Sequence, residues 1–173
     1  MTPPYTAYLG LGSNLGDREN NLQTALARLR ALGVVRAVSR IYETSPVGLI
    51  AQPDFLNAAA ILETSLDPQA LLDAMLDVER SLGRDRRHAV PKGPRTLDLD
   101  LLDYDGQLLK TPRLTLPHPE LASRAFVLAP LVEIAPDWRH PVTRQTAVEL
   151  LRVLAGSSPE QTVRLLQPAY RSL

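Results

Sequence analysis

Asp98 and Asp100 stand one residue apart in Gly93-Pro94-Arg95-Thr96-Leu97-Asp98-Leu99-Asp100-Leu101-Leu102. In a β-strand alternate side chains leave opposite faces, so both carboxylates share one surface while Leu97, Leu99 and Leu101 enter the packed side. Same-face residues lie roughly 6.6 Å apart along a strand, a span from which two carboxylates can converge on hard cations such as Mg2+. An Asp-x-Asp pair also reads as the polar outer face of an amphipathic strand, and the neighbourhood argues for chemistry instead. Arg84, Arg86, Arg87, Lys92 and Arg95 lie just upstream against a single acid, Asp85. Arginines that grip phosphate oxygens beside carboxylates that hold Mg2+ are the minimum parts for phosphoryl transfer.

The elements that must hold these groups are legible from periodicity and punctuation. Tyr5 to Leu11 reads as a short strand ending in Gly10-Leu11-Gly12-Ser13-Asn14-Leu15-Gly16, a tight turn into a helix capped by Asp17. That glycine run is a poor dinucleotide fingerprint, because Leu15 occupies the position where the last glycine is required, and no P-loop Lys-Ser/Thr follows. Leu22, Ala25, Leu26 and Leu29 form the buried stripe of the first helix, stopped at Gly33. Val34 to Tyr42 is expected to be one strand, Glu43 to Asp54 a loop, and Phe55 to Glu63 a third strand. Phe55 and Asn57 share a face there, which suits a flat heteroaromatic ring stacked and read along its edge; Phe55 serves equally as core. The loop Thr44-Ser45-Pro46-Val47-Gly48 exposes backbone groups that either line a pocket or round a corner.

Asp67-Pro68 caps and opens a second helix with the stripe Leu71, Met75, Val78 and Leu82, closed by Gly83. Glu79 sits near its C-terminal end, where the helix dipole disfavours an acid, so a cationic partner or a function is expected. The Asp98 strand is read as central and as turning at Asp105-Gly106 into a hairpin with Gln107 to Leu109. His118, in a Pro-flanked loop, reads equally as a phosphate ligand or a loop cap. Pro130, Pro136 and Pro141 are expected to break up the chain, Thr146 and Glu149 to box the start of a last helix, and the tail after Ser157 to be mobile. The order β-α-β-β-α-β gives an α+β, ferredoxin-like core with a C-terminal helical extension, in a single domain over 1–173.

Nineteen basic and nineteen acidic residues cancel, which gives no global field for a polyanion. Without cysteine, disulfides and thiolate metal sites are excluded. No signal-peptide pattern or apolar span of about 20 residues is present, so a cytoplasmic location is expected, with no membrane and no obligate protein partner.

Taken together, Leu9-Gly10-Leu11-Gly12-Ser13-Asn14-Leu15-Gly16, Thr44-Ser45-Pro46-Val47-Gly48, Phe55-Leu56-Asn57-Ala58-Ala59, Gly93 to Leu101 and Arg113-Leu114-Thr115-Leu116-Pro117-His118 resemble, in order and spacing, the 6-hydroxymethyl-7,8-dihydropterin pyrophosphokinases of folate biosynthesis. The resemblance implies an ATP-dependent transferase that moves the β,γ-diphosphate of ATP onto the pterin hydroxymethyl oxygen and releases AMP. It implies two Mg2+ ions on Asp98 and Asp100, with Arg84 and Arg95 steadying the transferred group. Phe55 and Phe126 would sandwich the pterin, and Asn57 with Thr44, Ser45, Pro46, Val47 and Gly48 would read its edge. Glu79, Arg84, Arg95, Leu101, Arg113, Thr115, His118 and Arg124 would surround ATP. Lys92 stands where relatives commonly place Trp, and Pro119 where some have Tyr. Two rivals are an RNA-recognition module, which needs an aromatic motif that the Phe55 strand lacks, and a two-metal polymerase-like palm, which leaves Phe55 and Asn57 without work.

Overall fold

A computed structural model describes residues 4–48 and 51–166; positions 49 and 50 of the predicted loop, the first three residues and the tail from 167 onward lie outside them. β1 (Tyr5–Ser13) leads into α1 (Arg18–Leu29), then β2 (Val34–Val38), β3 (Tyr42–Thr44) and β4 (Phe55–Thr64). α2 (Pro68–Ser81) follows, then β5 (Asp98–Tyr104), a short ribbon of β6 (Leu109–Lys110) and β7 (Thr115–Leu116), α3 (Ala125–Ile134), α4 (Ala147–Ser157) and β8 (Val163–Leu165). The main sheet runs β5-β1-β4-β3-β8, with β2 also on β4 and all pairings antiparallel. This is the ferredoxin-like α+β core, extended by two C-terminal helices and a strand.

Strand alternation sorts the two faces. Ala7, Leu9 and Leu11 of β1, Leu56, Ala60 and Leu62 of β4, and Leu99 and Leu101 of β5 pack against the Leu22–Leu29 stripe of α1 and Leu71, Met75 and Val78 of α2. Asp17 accepts from Asn20 N, and Asp67 from Gln69 N and Ala70 N, so both caps act as their residue types require. Against the other face, α3, α4 and the connection between them cover Leu102 and Tyr8 with Leu128, Leu131, Trp138 and Leu150. The Gly10–Gly12 end of that face is left open.

Several elements differ from expectation for local reasons. β1 continues through Gly12 and Ser13 instead of turning, because Gly10 and Gly12 pair in register with Ala59 and Asn57. Val34–Tyr42 is two strands. The break falls at Ser39, whose buried hydroxyl takes the Ala59 amide at 2.9 Å in place of a backbone partner. β5 is an edge strand, not a central one, since the last strand of this topology packs outside β1. The Asp105-Gly106 turn forms, but the chain beyond pairs β6 with β7 rather than returning along β5. Pro130 lies buried inside α3, where apolar packing outweighs the lost helical bond. The stretch after Ser157, expected to be a mobile tail, carries β8 within its described residues, and β8 pairs with β3. Thr146 and Glu149 form the expected capping box of α4.

Candidate active site

Gly10, Gly12, Phe55, Asn57, Asp98 and Asp100 all belong to one sheet face, because Gly12 pairs with both Asn57 and Asp98 and Gly10 with both Ala59 and Asp100. The two glycines leave a bare backbone floor between the carboxylates on β5 and the ring and amide on β4. A Cβ at Gly12 would lie 3.0 Å from Asn57 Oδ1 and 3.9 Å from Asp98 Cβ. Above this floor opens a cleft of about 180 Å3. Its walls are Thr44, Ser45 and Val47 on one side, Lys92 and Arg95 at one end, and Ser123, Arg124, Phe126 and Val127 on the other side.

The cationic end follows from how α2 stops. Gly83 (φ 87°) ends the helix with its amide on Arg80 O at 3.0 Å, and Arg84 N reaches back to Glu79 O at 3.1 Å. That turn folds Arg84 against the buried Glu79 carboxylate (2.8 Å), the Leu97 carbonyl (3.1 Å) and Asp98. Glu79 also takes a forked bond from Arg86 (2.9 and 3.0 Å) and the Leu99 amide of β5 at 2.8 Å. Burial pushes the Glu79 carboxyl above the ordinary carboxylate range against the pull of Leu99, Arg84 and Arg86. The expected cationic partner of this acid is therefore a pair of arginines.

Arg95 donates to Asp98 at 3.2 Å and stacks over Phe55, 5.4 Å from the ring centre. Asn14 fixes its backbone. The Asn14 side chain accepts from Arg95 N (2.8 Å) while donating to Gln52 (2.9 Å) and Pro53 O (3.0 Å), and Gln52 in turn donates to Lys92 O at 2.8 Å. Across the cleft, Arg124 lies 3.6 Å from Asp100 and 5.5 Å from the Phe126 ring centre, and it pairs with Glu120. His118 Nε2 is 3.7 Å from Asp100, while its Nδ1 accepts from Glu120 N at 3.2 Å. Asn57 donates to Thr44 Oγ1 at 2.6 Å.

Burial raises both strand carboxyls, but the outcomes diverge. Arg84 and Arg95 overcome it at Asp98 and hold that carboxyl below its usual range. At Asp100 the charge of Asp98 adds to burial, and the pull of His118 and Arg124 leaves the carboxyl raised. Two hard oxygen donors that disfavour each other's charge fit a divalent cation of the Mg2+ type. Among the described residues no third acid or histidine completes a protein cage, and such cations commonly take phosphate oxygens and water in the remaining positions.

Of the residues singled out in the sequence, Thr44, Ser45, Val47, Phe55, Asn57, Arg95, Asp98, Asp100, Arg124 and Phe126 meet at this cleft. Arg84 and His118 stand behind the two carboxylates. Pro46 and Gly48 adjoin its lining in the Thr44–Gly48 loop. Glu79 is buried beneath, Leu101 faces the helices, and Arg113 pairs with Asp73 of α2 while Thr115 lies in the β6–β7 ribbon. Sequence reasoning missed Gly10, Gly12, Asn14 and Gln52. The alternation Leu9-Gly10-Leu11-Gly12 was the available signal for the first two; the others depend on contacts across 38 to 81 positions.

The fold and site define an α+β protein with an acid pair, an arginine cluster and an aromatic slot on one sheet face. Residues 8–136 match the 7,8-dihydro-6-hydroxymethylpterin-pyrophosphokinase (HPPK) family. The chain belongs to that family. It is 49% identical over 130 residues to the 2-amino-4-hydroxy-6-hydroxymethyldihydropteridine pyrophosphokinase of Bacillus subtilis, covering 74% of this chain and 77% of that one. It is 41% identical over 161 residues to the folic acid synthesis protein fol1 of Schizosaccharomyces pombe, covering 92% of this chain but only 21% of that longer protein. Among solved structures, wild-type Plasmodium falciparum HPPK-DHPS with pteroate superposes with a TM-score of 0.72 at 15% identity, over 91% of this chain and 43% of that one, which shows the shared fold.

Proposed function

We propose that this cleft carries the family's reaction, with the diphosphate of ATP passing to the hydroxymethyl oxygen of 6-hydroxymethyl-7,8-dihydropterin and AMP leaving, as a cytoplasmic step of folate biosynthesis. The observation that supports it best is the glycine floor, which sets Asp98 and Asp100 beside the Phe55 ring and the Asn57 amide with no side chain between. Phe55 and Phe126 flank the pterin, Asn57 and the Thr44–Gly48 loop read its edge, and the ring lies over Gly12. Asp98 and Asp100 hold two Mg2+ ions, which when bound neutralise the triphosphate and polarise its transferring phosphorus.

The chain's own contribution is positioning and charge. Arg84 and Arg95 each hold one oxygen of Asp98 and are placed to receive charge that spreads onto the transferring oxygens. Arg124 and His118 do the same beside Asp100. Glu79 anchors Arg86 and the Arg84 guanidinium that also pairs with Asp98, and Asn14 keeps the Arg95 loop docked. Arg113 and Thr115 reach ATP where the nucleotide extends along the outer edge of β5 toward the β6–β7 ribbon, whereas the side chains of Glu79 and Leu101 are buried and do not meet it.

The test is turnover of Asp98→Asn and Asp100→Asn with saturating ATP, pterin and Mg2+. Each is expected to lose at least about a thousandfold in kcat with its circular dichroism unchanged. Wild-type turnover by either variant would refute the assignment.

A further inference from the structure

Residues 161–166 lie beyond the family match at 8–136, yet they join the two walls of the ring slot. On one wall, α3 begins without help from its own cap, because Arg124 makes no side-chain capping bond and its guanidinium is turned to Asp100 and Glu120. Gln161 supplies that cap from a distance. Its Oε1 accepts from Ala125 N at 2.8 Å and its Nε2 donates to Ser123 O at 3.0 Å, so one carboxamide clamps the backbone on either side of Arg124 and just before Phe126. On the other wall, the Thr162 hydroxyl is 2.9 Å from that of Ser45, Val163–Leu165 pairs with Thr44–Tyr42, and Leu166 N donates to Ile41 O at 3.0 Å. Arg164 adds an ion pair to Glu43, which Arg18 also holds at 3.1 Å.

We infer that 161–166 is a positioning element of the ring site, in which Gln161 sets the Phe126 wall against the Thr44–Ser45 wall. The inference rests on reading this cleft as the pterin site. A slot that grips a flat ring needs a fixed width, and here β3 and α3 meet through this segment in addition to their own packing on β4. Arg84, Arg95, Asp98 and Asp100 take no bond from it, so its loss loosens the ring and spares the nucleotide end. Arg124 keeps its own partners, Glu120 and Asp100.

The experiment titrates a pterin into protein saturated with a non-hydrolysable ATP analogue and Mg2+, using wild type, Gln161→Ala and Thr162→Val, with Tm recorded for each. Loss of one or both bonds is expected to weaken pterin binding about tenfold for Gln161→Ala, and less for Thr162→Val. Pterin KM should rise in parallel, with kcat and the affinity for the analogue within about twofold of wild type. Pterin affinity unchanged in both variants, with or without a drop in Tm, would overturn the inference. A wild-type protein that binds the analogue but no pterin would overturn the ring reading itself.

Discussion

Replacing Gly12 with alanine separates the demands of the fold from those of the site. Gly12 lies in regular strand, paired with Asn57 and Asp98, and has no need of a left-handed backbone. An alanine there gains roughly 0.5–1 kcal/mol from reduced chain entropy in the unfolded state. The added methyl meets Asn57 Oδ1 at 3.0 Å, Phe55 Cδ1 at 3.7 Å and Asp98 Cβ at 3.9 Å, so only the Asn57 carboxamide must give, by a few tenths of an ångström. These effects nearly cancel, and Tm is expected to stay close to that of wild type. A ring bound in the cleft is less forgiving. Stacked groups sit about 3.5–4.0 Å from their support, and a methyl in that gap overpacks the slot by about 1–3 kcal/mol. The same shift tilts the Asn57 amide that reads the ring edge. Pterin affinity should therefore fall roughly 5- to 150-fold, measured by calorimetry with an ATP analogue present. Gly12→Ala binding pterin within twofold of wild type would refute the placement of the ring over this floor.

Glu79→Gln removes the charge and one of the two acceptor oxygens that Arg84, Arg86 and Leu99 N share, and puts an NH2 donor where a guanidinium donates. About 3–5 kcal/mol of stability should be lost, read from urea unfolding, together with kcat as Arg84 loses its anchor; unchanged unfolding would show that the Glu79 network bears no load. Burial, with the hydrogen bond to Glu133, pushes the Tyr42 hydroxyl up to about 12. A folded-state value above the unfolded one of about 10 means that its stabilisation is complete below pH 10 and is lost as pH rises from about 10 through 12. Tyr42→Phe should flatten that limb of the stability profile, and an identical limb in both proteins would contradict it.

Much of this architecture was readable because local signals agreed. The Leu22–Leu29 and Leu71–Val78 stripes, the Asp17 and Asp67 caps, and the misplaced acid at Glu79 each point to what the structure contains. The failures share a physical origin. Gly10 and Gly12 look like turn residues because glycine's usual work is conformational, whereas here their lack of a side chain is what the strand needs. β3 and β8 are too short for periodicity to register and exist because each pairs with a neighbour more than ten residues away. The second face of β5 hides a further irregularity. A register shift opposite Tyr8 and Leu9 skips Leu102, which turns Asp103 toward Trp138 Nε1 (2.8 Å) and away from a simple alternation. Burial raises that carboxyl, and simple alternation from Asp98 and Asp100 would have set it on the Leu99–Leu101 face instead.

Phosphorus NMR of the products from ATP, 6-hydroxymethyl-7,8-dihydropterin and Mg2+ bears most directly on whether this cleft moves a diphosphate. AMP and pterin diphosphate should accumulate in equal amounts, and their formation should stop when Mg2+ is chelated. ADP with a pterin monophosphate, or AMP released at the same rate without pterin, would contradict the account.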